Sequence, residues 1–495
     1  MGGKIKKKIL LIHLPQIYAG KRRYPAWLPL GLAYTATYLI KEGYDVEVLD
    51  IDAYMYTKDK VVSILMEKHF DYAGISAMSP EFKYVKWISE QIKLKENKPN
   101  IILGGALAMY SSEIVLKNTG VDICVLGEGE TIFSKIIDTI ENKGFEELKN
   151  IKGISFMIDN TFIQTPSMEY IKDINIIEFP AWDLFPVELY SKTPFFFDPS
   201  YPNSMNMISA RGCPWNCNFC SKTFKSVRMR SVDNIIEEIR VLKEKYNIRQ
   251  IYFAEELLMV NEKRMLEVCE KIKPLNIKWI CMGRANVVTP LMLKKMKEAG
   301  CVWVGYGIES GSQKILDNMN KQVTVEKNAY AIKETLKAGL RPHIQMMFGY
   351  PGEDMKTIEE TRKFCTDLHI EPMGGFSVAT PLPGTQLYDW AKEKGLIKDE
   401  YEYLMGLDGF NGLYLNCTDF SDKELLENQE KLTIKINKAF RRYRRLNPHL
   451  FIKDYWLKFQ ILYYAGKRYG VKETIKKVLN VIKNNPKALT RAEYE

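Results

Sequence analysis

The sequence predicts an α/β protein with two parallel-sheet domains, a short connector between them and a helical C-terminal segment. Three observations predict it. Short apolar runs alternate with helical patterns of ten or more residues in two separate series, the signature of βαβ units. A length of 495 residues exceeds what one core fills, so two to four domains are expected. The composition, 46% hydrophobic and 27% charged, is that of an ordinary globular protein, and no apolar run approaches the ~18–20 residues of a membrane span.

In the first series KILLIHL is a strand, and LPLGLAYTATYLIKEGY is an amphipathic helix closed by Gly43. DVEVLDID, DYAGISAMS, NIILGGALA and VDICVLGEGE continue it, with helical stretches between them. Right-handed crossovers make residues 1–149 an open, doubly wound (Rossmann-like) domain whose ligand crevice lies outside the carboxyl ends of the strands. The loops there are Pro15-Gln16, Ser76 to Pro80, Gly104-Gly105 and Gly127 to Glu130. Over residues 150–202 the pattern breaks. GISFMIDNTFIQTP predicts a hairpin around Asp159-Asn160, and EFPAWDLFP a proline- and aromatic-rich connector, together an interdomain linker. Residues 203–416 hold the second series: NSMNMISARG, QIYFAEE, KWICMGRAN, VWVGYGIESG, PHIQMMFGYPGED and GFSVATPLPGT. Six β/α units are two short of a closed barrel, which predicts a partial (β/α)6 TIM barrel. Residues 417–495 read as helical.

The opening MGGKIKKKILLIHLP is basic, then apolar. Its apolar run is short, contains His13 and lacks a small-residue cleavage site, so it reads as a buried strand and not as a signal peptide. A cytoplasmic, reducing location is therefore expected. Cys124, Cys269, Cys281, Cys301, Cys365 and Cys417 are scattered, as buried small hydrophobes are, with no disulfide spacing. The formal net charge of +10 is unevenly placed. Residues 431–495 carry 17 Lys and Arg against 4 Asp and Glu, so the first 430 residues are slightly acidic.

The remaining cysteines, Cys213, Cys217 and Cys220, stand within eight residues in RGCPWNCNFCSK. Thiolates this close ligate zinc or iron–sulfur clusters. A zinc site asks for a second pair or a histidine at finger spacing, and none of the five histidines lies near. A closed cubane asks for a fourth cysteine. Three thiolates at the mouth of a parallel barrel suit a cubane with one iron open to a small chelating ligand. Glu255-Glu256, Arg284, Glu309-Ser310 and Tyr350-Pro351-Gly352 follow the later strands and are expected at the same mouth.

CPWNCNFC has the CxxxCxxC spacing of the radical S-adenosylmethionine (SAM) superfamily, including the aromatic Phe219, and the chain resembles that family in later motifs too. The resemblance implies a [4Fe-4S] cluster on Cys213, Cys217 and Cys220, whose open iron takes the amino and carboxylate groups of SAM. An electron then cleaves the sulfonium and leaves a 5′-deoxyadenosyl radical. YFAEELL is similar to the carboxylate segment after the second strand, which implies that Glu255 and Glu256 hold the SAM amino group; a helix cap is the alternative. Arg284 is a candidate for the SAM carboxylate, a bidentate task suited to guanidinium, against a surface ion pair. GIESGS resembles the ribose motif and nominates Glu309 and Ser310. GYPGED resembles the adenine-side turn, where Gly349 and Gly352 let backbone approach the ligand. PLPGT reads as structural, and no side chain is assigned a catalytic role.

The first domain resembles the cobalamin (B12)-binding domain that precedes the core in one large subgroup. PLGLAYTATYL, GYDVEVLD, GISAMS, ILGGALA, LGEGETIF and the EFPAWDLFP connector carry this, and the whole resemblance covers roughly residues 7–390. The first βα turn lacks GxGxxG, which argues against NAD and FAD. With Cys124 its only cysteine, the domain does not match that of methylthiotransferases. Ser76, Gly104, Gly105, Gly127 and Glu128 are placed around the corrin, with turn geometry the alternative for each glycine. The cobalt-ligating histidine motif DxHxxG is absent, so neither His13 nor His69 is expected to bind cobalt. A domain kept only as a scaffold is the alternative.

These resemblances imply a cobalamin-dependent radical SAM methyltransferase of class B type, acting on an unactivated carbon, or phosphorus, through the radical and methylcobalamin. The runner-up drops methyl transfer and leaves cyclisation, rearrangement or carbon–carbon coupling. A non-catalytic iron–sulfur or cobalamin binder would not need the SAM loops. The expected partners are a small-molecule or lipid substrate and a reductant such as flavodoxin or ferredoxin. FRRYRRLNPHLFIKDYWLKFQILYYAGKRYG mixes cations with aromatics. It reads first as a helical cap with solvated lysines, and second as a surface for peripheral contact with an anionic membrane or with a phosphorylated substrate or RNA. No specific nucleic acid is expected.

Overall fold

The computed structural model describes residues 7–18, 21–22, 27–192, 203–224, 226–255, 258–372, 375–409 and 412–447. They fall into two compact units. The first comprises residues 1–189, 208–238 and 380–415; the second comprises 190–207, 239–379 and 416–495. The segment bearing the clustered cysteines belongs to the first unit, and so does a later segment whose Leu404 and Leu407 pack into that unit's core.

The first unit is built on seven strands: β1 Lys8–His13, β2 Asp45–Asp50, β3 Tyr72–Ser76, β4 Asn100–Gly104, β5 Ile123–Val125, β6 Ile154–Ile158 and β7 Thr161–Gln164. Their order is β2-β1-β3-β4-β5-β6-β7. The first five in that order are parallel. Ile9 to Ile12 are all buried, as expected of a strand covered on both faces. This is the doubly wound order, and its switch point lies between β1 and β3. Parallel register lines up the strand ends there: His13 sits beside Asp50 and Ser76, and Ser76 beside Gly104.

The expected hairpin exists, with Asp159 and Asn160 both in the left-handed region at φ 47° and 62°. It is not part of a free linker. β6 pairs antiparallel with β5, so the hairpin covers an edge that would otherwise expose unpaired backbone. The connector after it is also held. Thr37 Oγ1 donates to Phe179 O at 2.8 Å, Ala181 N donates to Ala33 O at 3.1 Å, and Trp182 and Phe185 are buried.

The second unit carries six strands in sequential order: β8 Ser204–Met207, β9 Gln250–Phe253, β10 Lys278–Gly283, β11 Cys301–Glu309, β12 Arg341–Phe348 and β13 Phe376–Val378. All neighbours are parallel, and the sheet is open, as a partial barrel requires. Helices Glu262–Ile272, Pro290–Glu298, Val325–Lys337 and Met355–Asp367 start at Asn261, Thr289, Thr324 and Asp354, whose side chains accept first-turn N–H groups. The C-terminal segment begins as helix Asp422–Arg445, opened by a Ser421–Glu424 capping box. Leu425, Leu432 and Ile436 are its buried face, and Gln429 Nε2 donates to Phe376 O at 2.7 Å. Arg442, Arg444 and Arg445 stand in its last turn, where the helix dipole favours cations. The rest of the basic segment lies outside the described residues. Among those described, no helix is long and apolar enough to cross a membrane.

Candidate functional site

The cysteine loop begins six residues after β8 ends. A two-residue antiparallel ribbon, Ala210–Arg211 with Arg228–Met229, closes its base. Gly212 turns the chain into the loop at φ 89°, and a Cβ there would lie 2.4 Å from Ser226 O, so only glycine fits. Leu387 N donates to Asn218 O at 2.9 Å, and Tyr110 Oη donates to Lys222 O. The backbone is thereby tethered, while Cys213, Cys217 and Cys220 are half-buried and in no disulfide. The scattered cysteines behave differently: burial pushes the thiols of Cys269, Cys365 and Cys417 up to about 12, which keeps them neutral. Among the described residues no three His, Cys, Asp or Glu side chains gather closely enough for one ion.

At the crevice end of the first sheet, the nominated residues divide by what their neighbours require. Gly105, at φ 86°, would drive a Cβ to 2.5 Å from Ala77 O, and Gly127 would place one 2.4 Å from the Met168 sulfur. Chain geometry accounts for both glycines. Gly104 is different: a Cβ there would meet nothing closer than 4.0 Å, so the protein itself does not demand its small size. A glycine with open space at a strand end in the crevice fits close approach of backbone to a flat ligand. Ser76 ends the neighbouring strand. Glu128 is fully committed elsewhere, accepting from Arg211, Arg228 and Ile171 N.

In the second unit, the residues nominated for SAM follow the carboxyl ends of neighbouring strands. Glu255 is buried just after β9; Glu256 lies outside the described residues. Arg284, directly after β10, is only 7% exposed, which is no surface ion pair. Glu309 ends β11 in the left-handed region at φ 64°, where a register shift interrupts the pairing. Lys321 Nζ donates to its Oε1 at 2.9 Å, and both side chains are nearly buried. A left-handed non-glycine residue at a strand end is strained backbone held in place by its surroundings. Ser310 Oγ is 3.1 Å from Thr361 Oγ1 and accepts from Ser312 N, so it shapes the loop. Gly349 and Gly352 have φ of 78° and 85°; a Cβ on Gly352 would lie 2.6 Å from Asn318 Nδ2, whereas Gly349 meets only ordinary contacts. Glu353 accepts from Gly349 N and braces that turn. Lys321, Glu353, Arg211, Arg228 and Glu130 were not foreseen from sequence. The arginine before the first cysteine and the paired glutamates of LGEGE were the available signals.

The chain matches known proteins over both regions. Residues 207–365 match the family model of the radical SAM superfamily, and residues 19–137 match that of the B12 binding domain. It is 32% identical over 397 residues to an uncharacterized methyltransferase of Pyrococcus horikoshii, covering 79% of this chain and 84% of that protein. The chain belongs to the radical SAM superfamily, in its cobalamin-binding subgroup. An anaerobic magnesium-protoporphyrin IX monomethyl ester cyclase of Cereibacter sphaeroides is 28% identical over 410 residues, covering 80% of this chain and 65% of the cyclase. Among solved structures, the radical SAM methyltransferase TsrM from Kitasatospora setae, with cobalamin and a [4Fe-4S] cluster bound, superposes with a TM-score of 0.65 at 14% identity, over 79% of each chain. As a radical SAM enzyme of this subgroup, the protein uses a [4Fe-4S] cluster, SAM and cobalamin.

Proposed function

We infer that this enzyme is a cobalamin-dependent radical SAM methyltransferase acting on a small molecule at a carbon, or phosphorus, that ordinary SAM chemistry does not reach. One observation carries the reading. The crevice end of the first sheet and the cysteine loop belong to one compact unit, and Glu128, in the loop after β5, binds the arginines at both ends of that cysteine loop. A domain kept only as a scaffold has no need to bring its ligand crevice to the cluster loop.

The cofactors supply the radical and the methyl carrier; the chain supplies ligation, charge and exclusion of water. Cys213, Cys217 and Cys220 would hold three irons and leave the fourth for SAM. Arg284 meets the SAM carboxylate with a guanidinium already withdrawn from water, which strengthens the pairing. Glu255 takes the amino group, and Glu309, fixed by Lys321, the ribose. Ser76 and Gly104 would border the corrin. A low-potential reductant such as flavodoxin or ferredoxin supplies the electron. The described part of the basic segment is a cap on the second unit, its apolar face turned inward. Membrane contact is not part of this reading.

Product analysis tests it. With substrate, reductant and cobalamin, a methyltransferase releases both 5′-deoxyadenosine and S-adenosylhomocysteine, in step with methylated product. Release of 5′-deoxyadenosine alone with a rearranged or cyclised product would instead assign the chemistry of the cyclase relatives.

A further inference from the structure

The two ends of the cysteine loop carry like charges that face each other. Arg211 lies two residues before Cys213, Arg228 lies eight after Cys220, and the ribbon places them directly opposite. Both are buried. Like charges opposite one another in a ribbon repel, and burial removes the water that would screen them. The base of the loop closes only if something neutralises the pair.

Two carboxylates from LGEGE do so. Arg211 donates from Nη1 to Glu128 Oε1 at 2.6 Å and from Nη2 to Glu130. Arg228 Nη1 lies 2.9 Å from both oxygens of Glu128 and 2.7 Å from Ile171 O. Ile171 N donates back to Glu128 at 2.8 Å. Aromatic faces complete the enclosure, with the Arg211 guanidinium 5.3 Å from the Tyr34 ring and that of Arg228 4.8 Å from Phe224. Two arginines and two glutamates make a buried knot of balanced charge; its arginines flank the loop and its carboxylates sit after β5.

We propose that Glu128 and Glu130 are positioning residues for the iron–sulfur cluster: the carboxylates close the base of the cysteine loop and fix its three thiolates relative to the crevice of the cobalamin-binding domain. They touch no iron and act through Arg211, Arg228 and the ribbon. The proposal rests on the cluster belonging to Cys213, Cys217 and Cys220, and is independent of methyl transfer.

The test uses the full-length protein in two states. In anaerobically reconstituted protein, iron extraction by a chelator is timed for the parent, Glu130→Gln, Arg211→Lys and Ile136→Ala, the last a core truncation in the same unit. Glu130→Gln and Arg211→Lys are expected to lose iron at least about tenfold faster, the scale on which outer partners of metal ligands act. Ile136→Ala should keep the parental rate despite a lower melting temperature. In iron-free protein, Cys213, Cys217 and Cys220 should alkylate faster in the two clamp variants than in the parent and in Ile136→Ala. If Glu130→Gln does not fold, Arg211→Lys and Glu130→Asp carry the comparison. Parental iron loss and alkylation in folded clamp variants would overturn the proposal, as would iron loss that tracks melting temperature in every variant. A parent that takes up no iron would overturn the cluster assignment instead, and the alkylation arm would still read the clamp.

Discussion

Glu353 ties the turn after β12 to pH. It is buried, it accepts the Gly349 N–H, and burial pushes its carboxyl up to about 7 from 4.5. Below about pH 4.5 it is protonated in both folded and unfolded chains, and above about 7 it is ionised in both. Between those limits only the unfolded chain has released the proton, so its contribution to stability falls as pH rises. Glu353→Gln keeps an oxygen for Gly349 and removes the titration. Its stability relative to the parent should therefore rise from pH 4.5 to 7 and level off above, measured by denaturant unfolding at several pH values. A difference independent of pH would contradict the assignment. At this scale the sequence was legible in the CxxxCxxC spacing that led to the radical SAM family, which the family match over residues 207–365 bears out. It was silent on Lys321 and Glu353, because what makes them matter is a partner that only the fold brings near.

At the scale of the element, strand ends decide which side chains serve the crevice. β1 ends at His13 between β2 and β3, and its register puts the imidazole beside Asp50. His13 Nδ1 and Asp50 Oδ1 are 3.0 Å apart, and the histidine is buried. Burial opposes the charged ring, but the Asp50 hydrogen bond and the charges of Asp50, Asp52 and Glu81 outweigh it and raise the pKa. A shift in that direction favours the protonated ring, and only the neutral imidazole can ligate cobalt. Cobalamin bound in its cobalt(II) form should thus give a paramagnetic resonance spectrum without nitrogen splitting, unchanged in His13→Ala. A nitrogen triplet that vanishes in that variant would show that His13 is the ligand after all. Alternation of short apolar runs with helices made the two parallel sheets readable in advance. The hairpin was readable by its turn, but its place beside β5 was not, because antiparallel pairing to a strand some thirty residues back leaves no local mark.

For the whole molecule, the division into units departs most from a linear reading. A segment of 31 residues, Ile208 to Glu238, leaves the barrel strand that precedes it and joins the first unit, and residues 380–415 do the same. Buried ion pairs at Arg211 and Arg228 and the packing of Leu404 and Leu407 tie these segments to the first unit. The cysteine loop is consequently held by residues of the first unit, Glu128 and Glu130. A cluster held by three thiolates on this loop should cleave SAM. The direct measurement is 5′-deoxyadenosine release from SAM under anaerobic reduction, comparing the parent with Cys217→Ala and Cys365→Ala. Release is expected from the parent and from Cys365→Ala, and none from Cys217→Ala, whose iron content should also collapse. Unchanged SAM cleavage in Cys217→Ala would contradict it.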